Sequence, residues 1–199
     1  MHARVLSPVA ALALAAFAGA ALAQPSLPNG ASSLRETYGS WQIGCQMLPP
    51  PKDAPEGADT AGKADRPDGG GMACVLAQVQ REETRRLLVF SAELRLPDPA
   101  SDTVAATFVL PFGIAVTQPI ALKAGDKALK PLSVATCLPV GCIVPAAALQ
   151  PEAVAALSAG KSLTLSAQDT EGRTVAFDLR PDGFKEGLER LRAIEAGGM

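Results

Sequence analysis

The chain has 199 residues, a formal charge of −2 and a single histidine, His2. That length fits one domain able to bury a substantial core. A mildly acidic chain with no basic block and only 4% aromatic residues argues against nucleic acid as a partner, and it leaves few rings for stacking on bases or sugars.

The first residues, Met1-His2-Ala3-Arg4, are short and weakly basic, and an Ala/Leu-rich run follows from Val9 to Leu22. Ala21-Leu22-Ala23 then matches the small-x-small pattern of a signal-peptide cleavage site. A membrane span needs about 20 apolar residues. This run is shorter and ends in a cleavage pattern, so residues 1–23 read as a signal peptide cut between Ala23 and Gln24. The residue after the cut is glutamine rather than cysteine, which argues against a lipid anchor. The expected product is a soluble chain of about 176 residues, located in the periplasm or secreted to the cell envelope, with no transmembrane segment. Loss of Arg4 takes its charge to −3, and loss of His2 leaves it without histidine.

Residues 24–36 are polar and aperiodic and read as a flexible N-terminal arm. A single domain is expected over 37–194, with 195–199 as a tail. From Tyr38 to Met47, Trp41, Ile43 and Cys45 would share one strand face. Residues 49–71 contain Pro49-Pro50-Pro51, Pro55, Pro67 and Gly69-Gly70-Gly71 and no large apolar residue. Such a stretch cannot bury enough surface to offset the entropy of ordering it, so it reads as a disordered surface insertion. Ala73 to Gln80 and Leu87 to Leu96 follow as strands, with Leu88, Phe90, Ala92, Leu94 and Leu96 on one face.

Further short strands are expected at Thr107 to Leu110, Ile120 to Leu122, Leu132 to Cys137 and Cys142 to Val144, separated by Gly/Pro turns. Pro151 to Ala159 reads as a short helix, with proline at its start and Gly160 after its end. Ser162 to Gln168 and the alternating Val175, Phe177 and Leu179 make a hairpin. Gly183 to Ile194 is helical, with Phe184, Leu188, Leu191 and Ile194 as a narrow apolar stripe for docking. The fold class expected is all-β: an immunoglobulin-like β-sandwich with a short helix near 151–159 and a C-terminal helix.

The four cysteines, Cys45, Cys74, Cys137 and Cys142, point to structural disulfides in an exported chain. Three pairings are possible. If the segments flanking Leu138-Pro139-Val140-Gly141 form a hairpin, Cys137 and Cys142 come within bridging reach, and Cys45 then pairs with Cys74 across the insertion. A C-x4-C spacing between strands does not suit a C-x-x-C redox catalyst. Export likewise favours oxidation over a four-thiolate zinc site.

Without a histidine in the mature chain, Ser-His-Asp and Cys-His catalysis and His-ligated metals are excluded. Glu82-Glu83 sits beside Arg85-Arg86, as expected of a solvated turn. Asp169 and Glu171 occupy a tight turn where aspartate and glycine are common. Trp41 and Tyr38 could form a binding patch, although strand spacing puts Trp41 in the core. No catalytic, cofactor-binding or metal residues are assigned, and no cofactor is expected.

The pattern as a whole resembles the invasion-associated locus B family of Gram-negative bacteria. The residues that carry the likeness are Gly39-Ser40-Trp41-Gln42-Ile43-Gly44-Cys45, Cys74-Val75-Leu76-Ala77-Gln78, Leu110-Pro111-Phe112-Gly113-Ile114, and Cys137 through Cys142 with Ile143-Val144. Ala146-Ala147-Ala148-Leu149 and Gly183-Phe184 complete it. The likeness runs from Trp41 to Leu191, and residues 49–71 depart from it by their length. It implies an immunoglobulin-like sandwich at the cell envelope, a link in pathogens to host-cell entry, and no catalytic residues to carry over. The function expected is non-enzymatic binding of an unknown protein or cell-surface component. Two alternatives stay open: a periplasmic small-molecule carrier with its ligand between the sheets, and an enzyme using carboxylates or a disulfide.

Overall fold

Alternating apolar residues drive strand formation here, because period-two alternation buries one face of each strand. The computed structural model describes residues 33–48, 71–84, 87–98 and 101–197. In chain order the elements are β1 (Ser33–Tyr38), β2 (Trp41–Leu48), β3 (Gly71–Arg81), β4 (Leu88–Arg95), β5 (Ala105–Leu110), β6 (Ala121–Ala124), β7 (Lys127–Ala128), β8 (Thr136–Leu138) and β9 (Gly141–Ala146). The helix α1 (Pro151–Ser158), β10 (Leu163–Gln168), β11 (Thr174–Leu179) and the helix α2 (Phe184–Glu195) follow. A seven-stranded antiparallel sheet has the order β1-β2-β3-β4-β5-β9-β8, and a four-stranded sheet has the order β11-β10-β6-β7. This is the all-β sandwich with a C-terminal helix that the sequence led us to expect.

The inner face of the large sheet carries Trp41, Ile43 and Cys45 of β2, Phe90, Ala92 and Leu94 of β4, and Phe108 and Leu110 of β5, all buried. Leu122, Leu163, Leu165, Phe177 and Leu179 face them from the small sheet. The Phe90 ring stacks on both Phe108 (6.2 Å between centroids) and Phe177 (5.7 Å), so one aromatic row ties the two sheets together.

Seven strands cannot be covered by four. The uncovered part of the inner face, over β1 to β3, is roofed by α2, which contacts all three strands. Its buried residues are Phe184, Leu188, Leu191 and Ile194, the stripe read from the sequence, together with Gly187. A Cβ at Gly187 would lie 2.8 Å from Leu76 Cδ1, so the missing side chain lets the helix sit close on β3. Trp41 meets Phe184 edge to face at 5.2 Å.

Where the small sheet ends at β11, amide side chains stitch it to β3. The Gln78 Nε2 donates to the Arg180 carbonyl (3.0 Å), and its Oε1 accepts from the Arg180 amide (2.9 Å). Trp41 Nε1 donates to the same carbonyl (2.8 Å), and Gln80 Nε2 reaches the Asp178 carbonyl (2.6 Å). Gln78 is only 2% exposed, so these bonds satisfy a buried amide that would otherwise be costly.

Some expectations need correction. Ser33–Glu36, read as the end of a flexible arm, belongs to β1 and pairs with β2 from Ser33↔Gln46 to Tyr38↔Trp41. Backbone pairing orders this stretch, which has too few apolar residues to announce a strand. Gly71, read as the end of the insertion, opens β3 opposite Leu48. Glu195, placed in the tail, closes α2. Of the strand expected from Leu132 to Cys137, only Thr136 and Cys137 lie in a strand, β8. Leu132 instead bridges to Ile120, because the chain crosses there from one sheet to the other. The signal peptide, residues 24–32 of the arm and residues 49–70 of the insertion lie outside the described residues.

Candidate functional site

Both predicted disulfides are present: Cys45–Cys74 and Cys137–Cys142, with Cα atoms 4.1 and 3.9 Å apart. Each links two directly opposed residues of an antiparallel pair, the arrangement that brings Cα atoms closest across a ladder. Cys45 and Cys74 are buried on the inner face of the large sheet. Cys137 is exposed on β8, the terminal strand of that sheet, and Cys142 is 2% exposed on β9.

The strand directions gather several connections at one end of the sandwich. These are the β3–β4 turn, the β5–β6 loop, the Pro139-Val140 turn and the β10–β11 turn. The Gly113 carbonyl accepts from the Thr170 amide (2.9 Å), and the Ala115 amide donates to the Gln168 carbonyl (2.7 Å), so the β5–β6 loop is fastened to the small sheet. Leu110 pairs with Cys142, which sets the start of the β5–β6 loop beside the β8–β9 hairpin tip. At Gly141 the backbone has φ +138°, and a Cβ would stand 2.5 Å from the Leu110 carbonyl oxygen. Only glycine lets the hairpin close onto β5 at that point.

This end exposes large apolar side chains: Phe112 at 63%, Val140 at 55%, Val116 at 49% and Leu138 at 48%. Val79, Leu87 and Val89 are exposed at the same ends of β3 and β4. Single exposed apolar residues are ordinary, but a group of them rimmed by polar residues marks an interaction surface. In the sequence, Leu138 and Val140 belong to the tetrapeptide between Cys137 and Cys142, and Phe112 lies between Pro111 and Gly113. The available signal was the presence of large apolar side chains between Pro/Gly turn formers.

The candidate chemical groups lead elsewhere. Asp169 and Glu171 both pair with Arg173, at 2.7 and 2.9 Å. The Asp169 Oδ1 also accepts from the backbone amides of Glu171 and Arg173, as expected of a turn aspartate. The Arg173 guanidinium, through its hydrogen bond, holds the Asp169 carboxyl below its ordinary range, the wrong direction for a general acid. Glu82 and Glu83 are exposed in the β3–β4 turn, where the Glu82 amide donates to the Leu87 carbonyl.

Trp41 is fully buried and Tyr38 half-buried, with its hydroxyl donating to Glu36 (2.7 Å), so the two form no open patch. Glu36 receives both Arg190 Nε and Nη2 at 2.9 Å, a forked pair that pins α2 to β1. The hydrogen bond from Arg190 lowers the Glu36 pKa, while burial raises that of Tyr38. Among the described residues, no three His, Cys, Asp or Glu side chains stand together as metal ligands, and no helix is long and apolar enough to cross a membrane.

Two open grooves stand out among the described residues. One, of about 420 Å³, runs between α1 and the 101–103 loop and includes Leu149, Val154 and Arg192; the other, of about 210 Å³, lies along β10 near Gln118 and Thr174. The larger groove also includes Asp102, whose exposed carboxylate lies 3.4 Å from the Arg192 guanidinium.

Comparison with known proteins accounts for this architecture. The family described as invasion associated locus B (IalB) protein matches residues 56–192. The chain is similar to Invasion protein B of Bartonella bacilliformis, with 34% identity over 201 residues that cover 96% of this chain and 95% of the relative. It is also similar to an Invasion protein B homolog of Brucella abortus, with 32% identity over 85% of each chain. The crystal structure of invasion associated protein B from Bartonella henselae superposes with a TM-score of 0.65 and 29% identity, covering 84% of this chain and all of that one. The expected resemblance thus holds across most of the molecule, and the chain belongs to the invasion-associated locus B family.

Proposed function

We infer that the mature protein is an exported, non-enzymatic binding protein of the cell envelope, and that it contacts a protein partner through the apolar end of the sandwich. The observation that carries this reading is the exposure of Phe112, Val116, Leu138 and Val140 on adjoining loops that a disulfide and the sheet pairings hold in place. The names of the Bartonella and Brucella relatives support a role in invasion. Non-enzymatic action is supported by Asp169 and Glu171, both paired with Arg173, and by Glu82 and Glu83, exposed at the β3–β4 turn. The carrier alternative finds little room, since Phe90, Phe108, Phe177 and their neighbours fill the space between the sheets.

The test is a photoreactive residue placed at position 112 in the full-length, exported protein, with position 107 on the outer face of β5 as control. A discrete crosslinked partner from position 112 alone, lost in Val140→Ser, supports the reading. Equal, diffuse labelling from both positions overturns it.

A further inference from the structure

The two disulfides differ in the features that govern attack by an external thiol. Cys45–Cys74 joins β2 and β3 inside the sheet, at 3% and 5% exposure, and seven register pairs hold those strands together. Cys137–Cys142 joins a terminal strand of three residues to β9, its one neighbour among the described strands, through three register pairs. Cys137 itself is exposed. Thiol–disulfide exchange requires a thiolate to reach one sulfur, so access selects between the bridges.

We propose that Cys137–Cys142 is an exchangeable disulfide, opened when the thiolate of an external dithiol attacks Cys137 Sγ, and that the apolar end keeps its binding shape only while this bridge is closed. The second half rests on the reading of that end as the contact surface. In the exchange the attacking sulfur bonds to Cys137 Sγ, and the Cys137–Cys142 bond breaks. Its electron pair leaves on Cys142 Sγ, which takes up a proton. The second thiol of the reagent then displaces Cys137, so two electrons pass to the protein and the reagent ends as a disulfide.

Opening follows from how little else holds the hairpin. Once the bridge is cut, β8 is a terminal strand joined to β9 by three register pairs, and so short an edge element opens locally at small cost. The tip carries Leu138 and Val140 and is seated on β5 through Gly141. Lifting it moves those two side chains away from the end of β5, where the loop carrying Phe112 begins, while the buried Cys45–Cys74 bridge keeps the rest of the large sheet in register.

The experiment titrates the mature protein with dithiothreitol under native conditions, alkylates the freed thiols and reads each cysteine by peptide mass spectrometry. Hydrogen exchange is measured on the same samples. Cys137 and Cys142 are expected to be alkylated at about tenfold lower dithiothreitol than Cys45 and Cys74, with exchange accelerating over residues 136–143 and unchanged over 90–95. Joint reduction of both bridges overturns the proposal, as does selective reduction that leaves residues 136–143 protected. The gating half has its own readout, the crosslink from position 112, which must fall at least several-fold on selective reduction; an undiminished crosslink overturns it. If the oxidised protein gives no crosslink, the contact-surface reading falls and takes the gating with it, while labelling and exchange still decide the disulfide claim.

Discussion

Replacing Gln78 with leucine tests the stitching between the sheets. Leucine is of similar volume but cannot bond, so the Arg180 amide loses its acceptor (2.9 Å) and the Arg180 carbonyl loses one of two donors (3.0 Å), the other being Trp41 Nε1 (2.8 Å). Gln80, which also leans on Gln78 Oε1 at 3.1 Å, loses that contact as well. The two lost bonds to Arg180 cost about 1 kcal/mol each, the Gln80 amide keeps its bond to the Asp178 carbonyl, and a partly buried Arg180 amide left without an acceptor adds about 1 kcal/mol. The sum of about 3 kcal/mol lowers Tm by about 6–12 °C for a chain of this size. Thermal unfolding by circular dichroism measures it. A double-mutant cycle with Trp41→Phe sharpens the test, because both side chains donate to one carbonyl. A coupling of at least about 0.5 kcal/mol is expected for groups in one network. An unchanged Tm in Gln78→Leu, or strict additivity with Trp41→Phe, refutes the view that these bonds join the sheets.

Gly183 has φ +77°, and a Cβ there would collide with the Tyr38 carbonyl. Gly183→Ala therefore costs more than the roughly 1–2 kcal/mol of left-handed backbone alone, whereas Gly172→Ala, at φ +80° in open space, costs only that backbone term; chemical denaturation separates the two. The Arg190 pair lowers the Glu36 pKa below its ordinary 4.5. Its contribution to stability is thus fully present above that ordinary value and is lost as pH falls through the lowered folded value. Glu36→Gln should flatten the stability profile in that acid window and leave its slope near neutrality unchanged. Removing Cys45–Cys74 as a double alanine variant should cost about 3.5 kcal/mol from the chain entropy of a 29-residue separation, read as a fall in the denaturant midpoint with both cysteines of the other bridge still oxidised.

Much of the core was legible because burial follows alternation. Trp41, Ile43 and Cys45 read as one face and are one face; the four apolar residues of α2 read as a stripe and are buried as one. Cys137–Cys142 was legible from a turn-forming tetrapeptide between the cysteines. By contrast, β1 was not, since its residues are mostly polar and its order comes from pairing with β2 and from a partner in Glu36–Arg190 that lies 154 residues away. Nor was β7, two exposed residues paired with the end of β6. The apolar end was hidden for a different reason: a Phe or Val in a turn reads the same whether it is covered or bare. Only the strand directions, which bring the start of the β5–β6 loop beside the β8–β9 tip, place Phe112, Leu138 and Val140 at one end of the sandwich.

The roof over β1 to β3 is the last element of the chain. Trp41 waits for a carbonyl 139 residues downstream, and Glu36 for an arginine further still. Contacts between such distant segments are slow to form, and during synthesis they cannot form at all until the C-terminus has emerged. The early strands therefore stay unroofed while the chain is being made. For the exported protein proposed above, which would thread through a membrane channel before folding, such an order gains time; in any compartment, a variant truncated before α2 would never complete its core.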